Sequence, residues 1–188
     1  MPEIKSICVY CGSSPGTDPD FMQAARTLGE ALADQKIRLV YGGGTRGLMG
    51  AVAQGAHEKE GAVTGIIPQF LLDHEAAHNP SLYCNDVIVC ETMHQRKSLM
   101  FENADAFITL PGGIGTLEEV VEMMTWAQLG RHEKPIYLLN TNWFWDPFVE
   151  LIQHMEESGF LHQAKKAKPT VINSVKELQE DLLARFST

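Results

Sequence analysis

No Gly-Lys pair occurs anywhere in the chain, so there is no G-x-x-x-x-G-K-[ST] loop and a P-loop NTPase is excluded. No apolar run approaches the roughly 18 residues of a membrane span. The start, MPEIKSICVY, has no basic stretch leading into a long apolar one, so it does not read as a secretory signal. Positive charge is scarce: 15 Lys and Arg against 24 Asp and Glu leave a net charge of −9. That is not the footprint of a nucleic-acid binder, although a small anionic substrate still fits a locally positive pocket. Cysteine is limited to Cys8, Cys11, Cys84 and Cys90. Without a secretory signal no disulfides are expected, and the cytoplasm is the expected compartment. Cys8 and Cys11 form a C-x-x-C, but it ends a strand pattern instead of opening a helix, where a redox pair gains its low pKa. Cys84 and Cys90 supply no second zinc-spaced pair.

Repeats, linkers and low-complexity tracts are also missing. The 188 residues, 44% hydrophobic and 21% charged, suit a single soluble domain over 1–188. Short apolar runs predict strands at Ile4–Tyr10, Ile37–Tyr41, Ala62–Ile67, Asp86–Cys90, Ala106–Leu110, Pro135–Leu139 and Thr170–Ile172. Helix-period segments fall between and after them, at Pro19–Gln35, Gly47–Lys59, Met93–Asn103, Thr116–Leu129, Pro147–Ser158 and Val175–Phe186. Asp18 before Pro19 reads as a cap with an N1 proline. Thr92 with Gln95, Thr116 with Glu119, and Ser174 with Glu177 read as capping boxes. Strands such as IRLVY and AFITL are continuously apolar, as in a parallel sheet covered on both faces. The expected fold is α/β, a Rossmann-like doubly wound parallel sheet.

Ligands of such sheets bind beyond the carboxyl ends of the strands. Three small-residue loops fall there: Cys11–Ser14, Gly42–Gly47 (GGGTRG) and Pro111–Thr116 (PGGIGT). Glycine admits close backbone approach, and a helix N-terminus offers free amides to an anion, so a phosphorylated small molecule is expected. A nicotinamide fingerprint does not fit, because CGSSPG follows the first strand and glycines, not an acidic residue, end the second. Gly12–Gly16 matches G-x-S-x-G, but Pro15 lacks the amide an oxyanion hole needs after the nominal nucleophile Ser14. His74–His78 matches H-E-x-x-H, but Pro80 would cut short the helix that zinc ligation requires. Arg96 and Lys97 fit either a solvated helix face or an anion site. Glu119 fits either the capping box or chemistry beside the phosphate loop. Met123, Met124, Trp126 and Leu129 make that helix apolar around much of its girth, so it is buried in the core or against a second subunit.

YGGGTRGLMG (Tyr41–Gly50), MHQRK (Met93–Lys97) and PGGIGTLEE (Pro111–Glu119) resemble the signature segments of the LOG ("lonely guy") family of cytokinin riboside 5′-monophosphate phosphoribohydrolases, often mislabelled lysine decarboxylases. The likeness runs from ICVYCGSS to TWAQLG, and PGGIGTLEE fits the family pattern PGGxGTxxE throughout. The resemblance implies hydrolysis of the N-glycosidic bond of a purine nucleoside 5′-monophosphate, AMP or an N6-modified relative, to free base and ribose 5-phosphate. It implies Arg96 and Glu119 as the catalytic pair. It matches Glu75, Lys97, Gly113, Ile114, Gly115, Thr116, Leu117, Glu118 and Thr125 to substrate contacts, although the chain departs from the usual family loop around Asp73–Ser81. Our own reading of the loops adds Gly112 and, from the second loop, Gly42, Gly43, Gly44 and Thr45. No metal or organic cofactor and a homodimeric habit are implied. Pyridoxal chemistry is disfavoured, since Lys97, the one lysine in these segments, sits beside an arginine. The rival reading is a nucleotide carrier of the same fold without turnover.

Overall fold

In the computed structural model, residues 4–74, 79, 82–161 and 168–186 are described. Seven strands form one parallel sheet in the order β4-β3-β2-β1-β5-β6-β7. They are β1 (Ser6–Tyr10), β2 (Arg38–Tyr41), β3 (Val63–Pro68), β4 (Asp86–Cys90), β5 (Ala106–Thr109), β6 (Ile136–Leu139) and β7 (Thr170–Ile172). The helices are α1 (Pro19–Asp34), α2 (Gly47–Glu58), α3 (Gln69–His74), α4 (Met93–Glu102), α5 (Ile114–Gln128), α6 (Asp146–Glu157) and α7 (Val175–Phe186). The expected doubly wound α/β fold is therefore observed. Each predicted strand is present, with ends trimmed by at most two residues and β3 running one residue further, to Pro68. The short α3 and a 3₁₀ turn at Thr141–Trp143 were not foreseen.

Apolar side chains alternate between two cores. Ile7, Val9 and Cys11 pack on one face with α1, α2 and α7, while Cys8 and Tyr10 pack on the other with α4, α5 and α6. Cys8 and Cys11 thus lie on opposite sides of the sheet, and all four cysteines are free. The C-x-x-C cannot act as a dithiol, because an odd spacing in extended chain sends the two thiols to opposite faces. Strands β1, β5 and β6 are buried along their whole length, whereas Asp86 and Val89 of the edge strand β4 are exposed. That contrast is what a sheet covered on both faces produces at its edge.

The largest departure lies at α5. The helix begins at Ile114 with Gly113 as its cap, two residues before the expected start. Thr116 is therefore the third helical residue, and no Thr116–Glu119 capping box forms. The other two boxes close in a shifted form. Thr92 Oγ1 accepts from the Gln95 amide while the Gln95 side chain accepts from Glu91, one residue outside the cap. Ser174 and Glu177 repeat this pattern, with Glu177 reaching the Asn173 amide. Asp18 caps α1 as expected, accepting from the Asp20 amide.

Candidate active site

Strand order reverses between β1 and β5, since β2, β3 and β4 lie to one side of β1 and β5, β6 and β7 to the other. A doubly wound sheet opens its ligand crevice at such a switch point. Here the loops after β1 and β5 touch: the Gly12 amide donates to the Pro111 carbonyl at 3.1 Å. A Cβ on Gly112 would strike the Thr116 side chain and the Gly12 backbone, so only glycine fits.

A cavity of about 250 Å³ opens there. It is lined by Tyr10, Cys11, Gly12 and Ser13 at the end of β1, Gly42 after β2, Met93, Arg96 and Met100 of α4, and Gly113, Gly115, Thr116, Glu118 and Glu119 around the start of α5. Of the expected site residues, Arg96, Gly42, Gly113, Gly115, Thr116, Glu118 and Glu119 meet in this one space. Gly112 borders an adjoining cavity that shares Gly12, Ser13 and Gly113.

The two glycine loops that precede helices have different fates. At α2, the Leu48 and Met49 amides are taken by the Gly12 carbonyl at 3.1 and 3.3 Å. Gly43 packs against Ile67 and Gly44 against Met49. Of Gly42, Gly43, Gly44 and Thr45, only Gly42 reaches the cavity, and its carbonyl is occupied by Arg96. This second loop therefore meets the cavity through Gly42, with Gly43 and Gly44 packed against side chains. At α5, by contrast, Gly113 and Gly115 face open space. The first amides of a helix have no intrahelical partner, so this end is open to an anion.

Arg96 is 8% exposed, which excludes a solvated helix face. Its Nε donates to the Ile66 carbonyl at 3.0 Å and its Nη2 to the Gly42 carbonyl at 2.9 Å. A carbonyl of β3 and the carbonyl just after β2 thus aim the guanidinium of Arg96, which lines the cavity. Among the described residues, no ion pair joins Arg96 to Glu119. Met93, Arg96 and Met100, spaced i, i+3, i+7, share one face of α4, a periodicity visible in the sequence although the two methionines went unnoticed.

Glu119 is half-buried, and its carboxyl is pushed up to about 7. Burial is the largest cause; Arg96 and Lys97 oppose it, and Glu118 and Glu122 reinforce it. Burial likewise raises the thiol of Cys11 and the phenol of Tyr10, so both are neutral neighbours.

The remaining expected contacts lie elsewhere. The Lys97 ammonium is bound by Glu118 at 2.6 Å and Glu122 at 3.1 Å, outside the cavity lining. Burial alone would lower its pKa, but these two carboxylates outweigh burial and raise it. A permanently charged, doubly paired lysine is the opposite of a Schiff-base amine, so pyridoxal chemistry has no support here. Ile114 is 82% exposed at the helix entrance, and Leu117 packs against the core. Thr125, three turns along α5, donates to the Val121 carbonyl. Glu75 and most of the HEAAH segment lie outside the described residues. Glu122 is a polar residue that sequence reasoning missed. Its signal was the i, i+4 spacing from Glu118, which stacks both carboxylates on one helix face.

A protein-family model described as a possible lysine decarboxylase matches residues 49–182. The chain is 43% identical, over 93% of its length, to a cytokinin riboside 5′-monophosphate phosphoribohydrolase of Rhodococcoides fascians, of which it covers 87%. It is also 43% identical, over 94% of its length, to the cytokinin riboside 5′-monophosphate phosphoribohydrolase LOG of Oryza sativa subsp. japonica, of which it covers 73%. The chain belongs to the LOG family. Among solved structures, the X-ray structure of TM1055, a structural genomics target, superposes with a TM-score of 0.72 at 25% identity, covering 96% of this chain and 99% of that one. Two of the three segments that carried the family resemblance supply much of the switch-point cavity: PGGIGTLEE builds the open helix entrance and Glu119, and MHQRK supplies Met93 and Arg96, while YGGGTRGLMG contributes Gly42 and Met49.

Proposed function

We propose that the protein hydrolyses the N-glycosidic bond of purine nucleoside 5′-monophosphates, AMP or N6-modified cytokinin riboside 5′-monophosphates, releasing the free base and ribose 5-phosphate. The observation that carries this reading is the meeting, in one cavity, of an open helix N-terminus with a buried carboxyl near neutral pKa. The 5′-phosphate rests on the amides of Ile114, Gly115 and Thr116. The ribose then lies over Glu119, one to two turns along the same helix.

As the C1′–N bond breaks, its electron pair leaves with the base, and the ribose gains oxocarbenium character. The Glu119 carboxylate stabilises that cation and takes the proton of the water whose oxygen bonds to C1′. The departing base takes up one proton in exchange, so the products are the neutral base and ribose 5-phosphate and the carboxylate is restored. A base with a pKa near the working pH is the efficient choice for such a step. Arg96, fixed by two carbonyls, holds ribose or phosphate oxygens and favours the ionised form of Glu119. No metal or organic cofactor enters this scheme. The site works in the cytoplasm, in a homodimer whose contact includes α5 and its C-terminal cap, where Val121 and Leu129 are 40% and 69% exposed. No described helix is long and apolar enough to cross a membrane.

The test compares AMP with adenosine. kcat/KM for AMP should exceed that for adenosine at least about 100-fold, the scale of several charge-assisted hydrogen bonds. Equal values would remove the phosphate from the account.

A further inference from the structure

Lys97, Glu118 and Glu122 make an ion cluster that the proposed chemistry does not use. Lys97 stands next to Arg96 on α4, and Glu118 stands next to Glu119 on α5. Lys97 bridges the two helices, bonding Glu118 Oε1 at 2.6 Å and Glu122 Oε1 at 3.1 Å. The Lys97 side chain is 11% exposed and that of Glu122 24%, whereas that of Glu118 is 53% exposed, so the bridge is buried on its Glu122 side and open to solvent on its Glu118 side. The second oxygen of Glu122, Oε2, is buried and has no hydrogen-bond partner among the described residues. An orphaned carboxylate oxygen carries a desolvation cost that a purely structural brace would avoid. It lies one turn along from Glu119 on the same helix, where residues three apart are neighbours.

We propose that Glu122 is a positioning residue: with Lys97 it locks α4 against α5 and fixes the charge that surrounds Glu119. This rests on Glu119 being the base of the proposed hydrolysis. The groups acting on its carboxyl are Arg96 and Lys97 from α4, Glu118 and Glu122 from α5, and, on β1, Cys8, Tyr10 and Cys11, which burial keeps neutral. Two cations therefore face three carboxylates. One surplus negative charge remains when all are ionised, and Glu119, whose carboxyl burial raises, takes up the proton. Glu122 supplies the surplus, and Lys97 limits it. Without Glu122 the balance closes and Glu119 ionises at lower pH. Without Lys97 the surplus grows and Glu119 ionises at higher pH.

The experiment titrates the Glu119 carboxyl by 13C NMR, its resonance assigned by loss in Glu119→Gln, in the wild type, Glu122→Gln, Lys97→Met and the double variant. The acid limb of kcat against pH is followed in parallel with AMP. Glu122→Gln should lower the midpoint by about half a pH unit or more, Lys97→Met should raise it, and the double variant should fall between the two. A change that only loosened the fold would not move the midpoint in opposite directions. An unchanged midpoint in Glu122→Gln overturns the proposal, and this variant suffices if Lys97→Met does not fold. Wild-type turnover in Glu119→Gln would instead overturn the proposed hydrolysis. The NMR midpoint reads the cluster independently of turnover, so the two failures are distinct.

Discussion

At the scale of single residues, Glu119 concentrates the physics of the site. Its carboxyl is raised from its ordinary 4.5 to about 7, chiefly by burial. The folded protein therefore holds this proton more tightly than the unfolded chain does. The stability linked to it is complete below pH 4.5 and is lost as pH rises through 7. At about 1.4 kcal/mol per pH unit, the ionised form costs the fold roughly 3 kcal/mol. Glu119→Gln removes that cost, and it loses no cap, since α5 begins at Ile114 and Glu119 plays no part there. Urea unfolding should find Glu119→Gln more stable than the wild type by up to about 3 kcal/mol at pH 8, with the difference closing at pH 4. A stability difference that does not change with pH would show that the carboxyl is not raised.

Among the elements, the helix that matters most was the one whose start the sequence misplaced. PGGIGT reads as a loop because glycine is a poor helix former and Thr116 with Glu119 imitates a cap. The propensity cost is small in a first turn, and Gly113 can take the extended conformation a cap requires, so the chain turns helical at Ile114. The same local rule worked at Asp18, where the proline left a single choice of start. The second glycine loop was legible as a special segment but not in its purpose. Nothing in GGGTRG announces that the Gly12 carbonyl, from the loop after β1, occupies the Leu48 and Met49 amides of α2. The packing of α1 on α2 depends on a similar long-range approach. A Cβ on Gly55 would collide with the Arg26 carbonyl, and one on Gly29 with the Val52 carbonyl. Gly55→Ala should therefore destabilise the protein by about 2 kcal/mol or more, because backbone and not a flexible side chain must move. Turnover per folded molecule should stay near normal, as neither glycine touches the cavity. Denaturant unfolding and a specific-activity assay check both halves.

For the whole molecule, the continuous apolar strands were enough to foresee a doubly wound parallel sheet, and the loops at the strand ends pointed to the edge where the switch-point cavity opens. Burial was not foreseeable: charge pattern alone leaves Arg96 and Lys97 open between a solvated face and an anion site, and only the assembled sheet shows Arg96 bonded to carbonyls of Ile66 and Gly42 and Lys97 held between α4 and α5. The apolar girth of α5 is only partly spent in the monomer. Val120, Met123, Met124 and Ala127 face the core, while Val121 and Leu129 remain outside. Sedimentation at micromolar concentration should give at least twice the 20.8 kDa of one chain. Val121→Lys with Leu129→Lys should shift the distribution toward the monomer.

The most direct test of the central claim is release of free base, followed by chromatography. Wild type, Glu119→Gln and Glu118→Gln are each incubated with AMP and with an N6-modified AMP. The wild type should yield free base and ribose 5-phosphate from at least one of the two. Glu119→Gln should be slower by about 100-fold or more, the usual low end for a general base. Glu118→Gln, which removes a like charge from the same turn, should keep more of the wild-type rate. No base from the wild type, or equal loss in both variants, would contradict the assignment of this chemistry to Glu119.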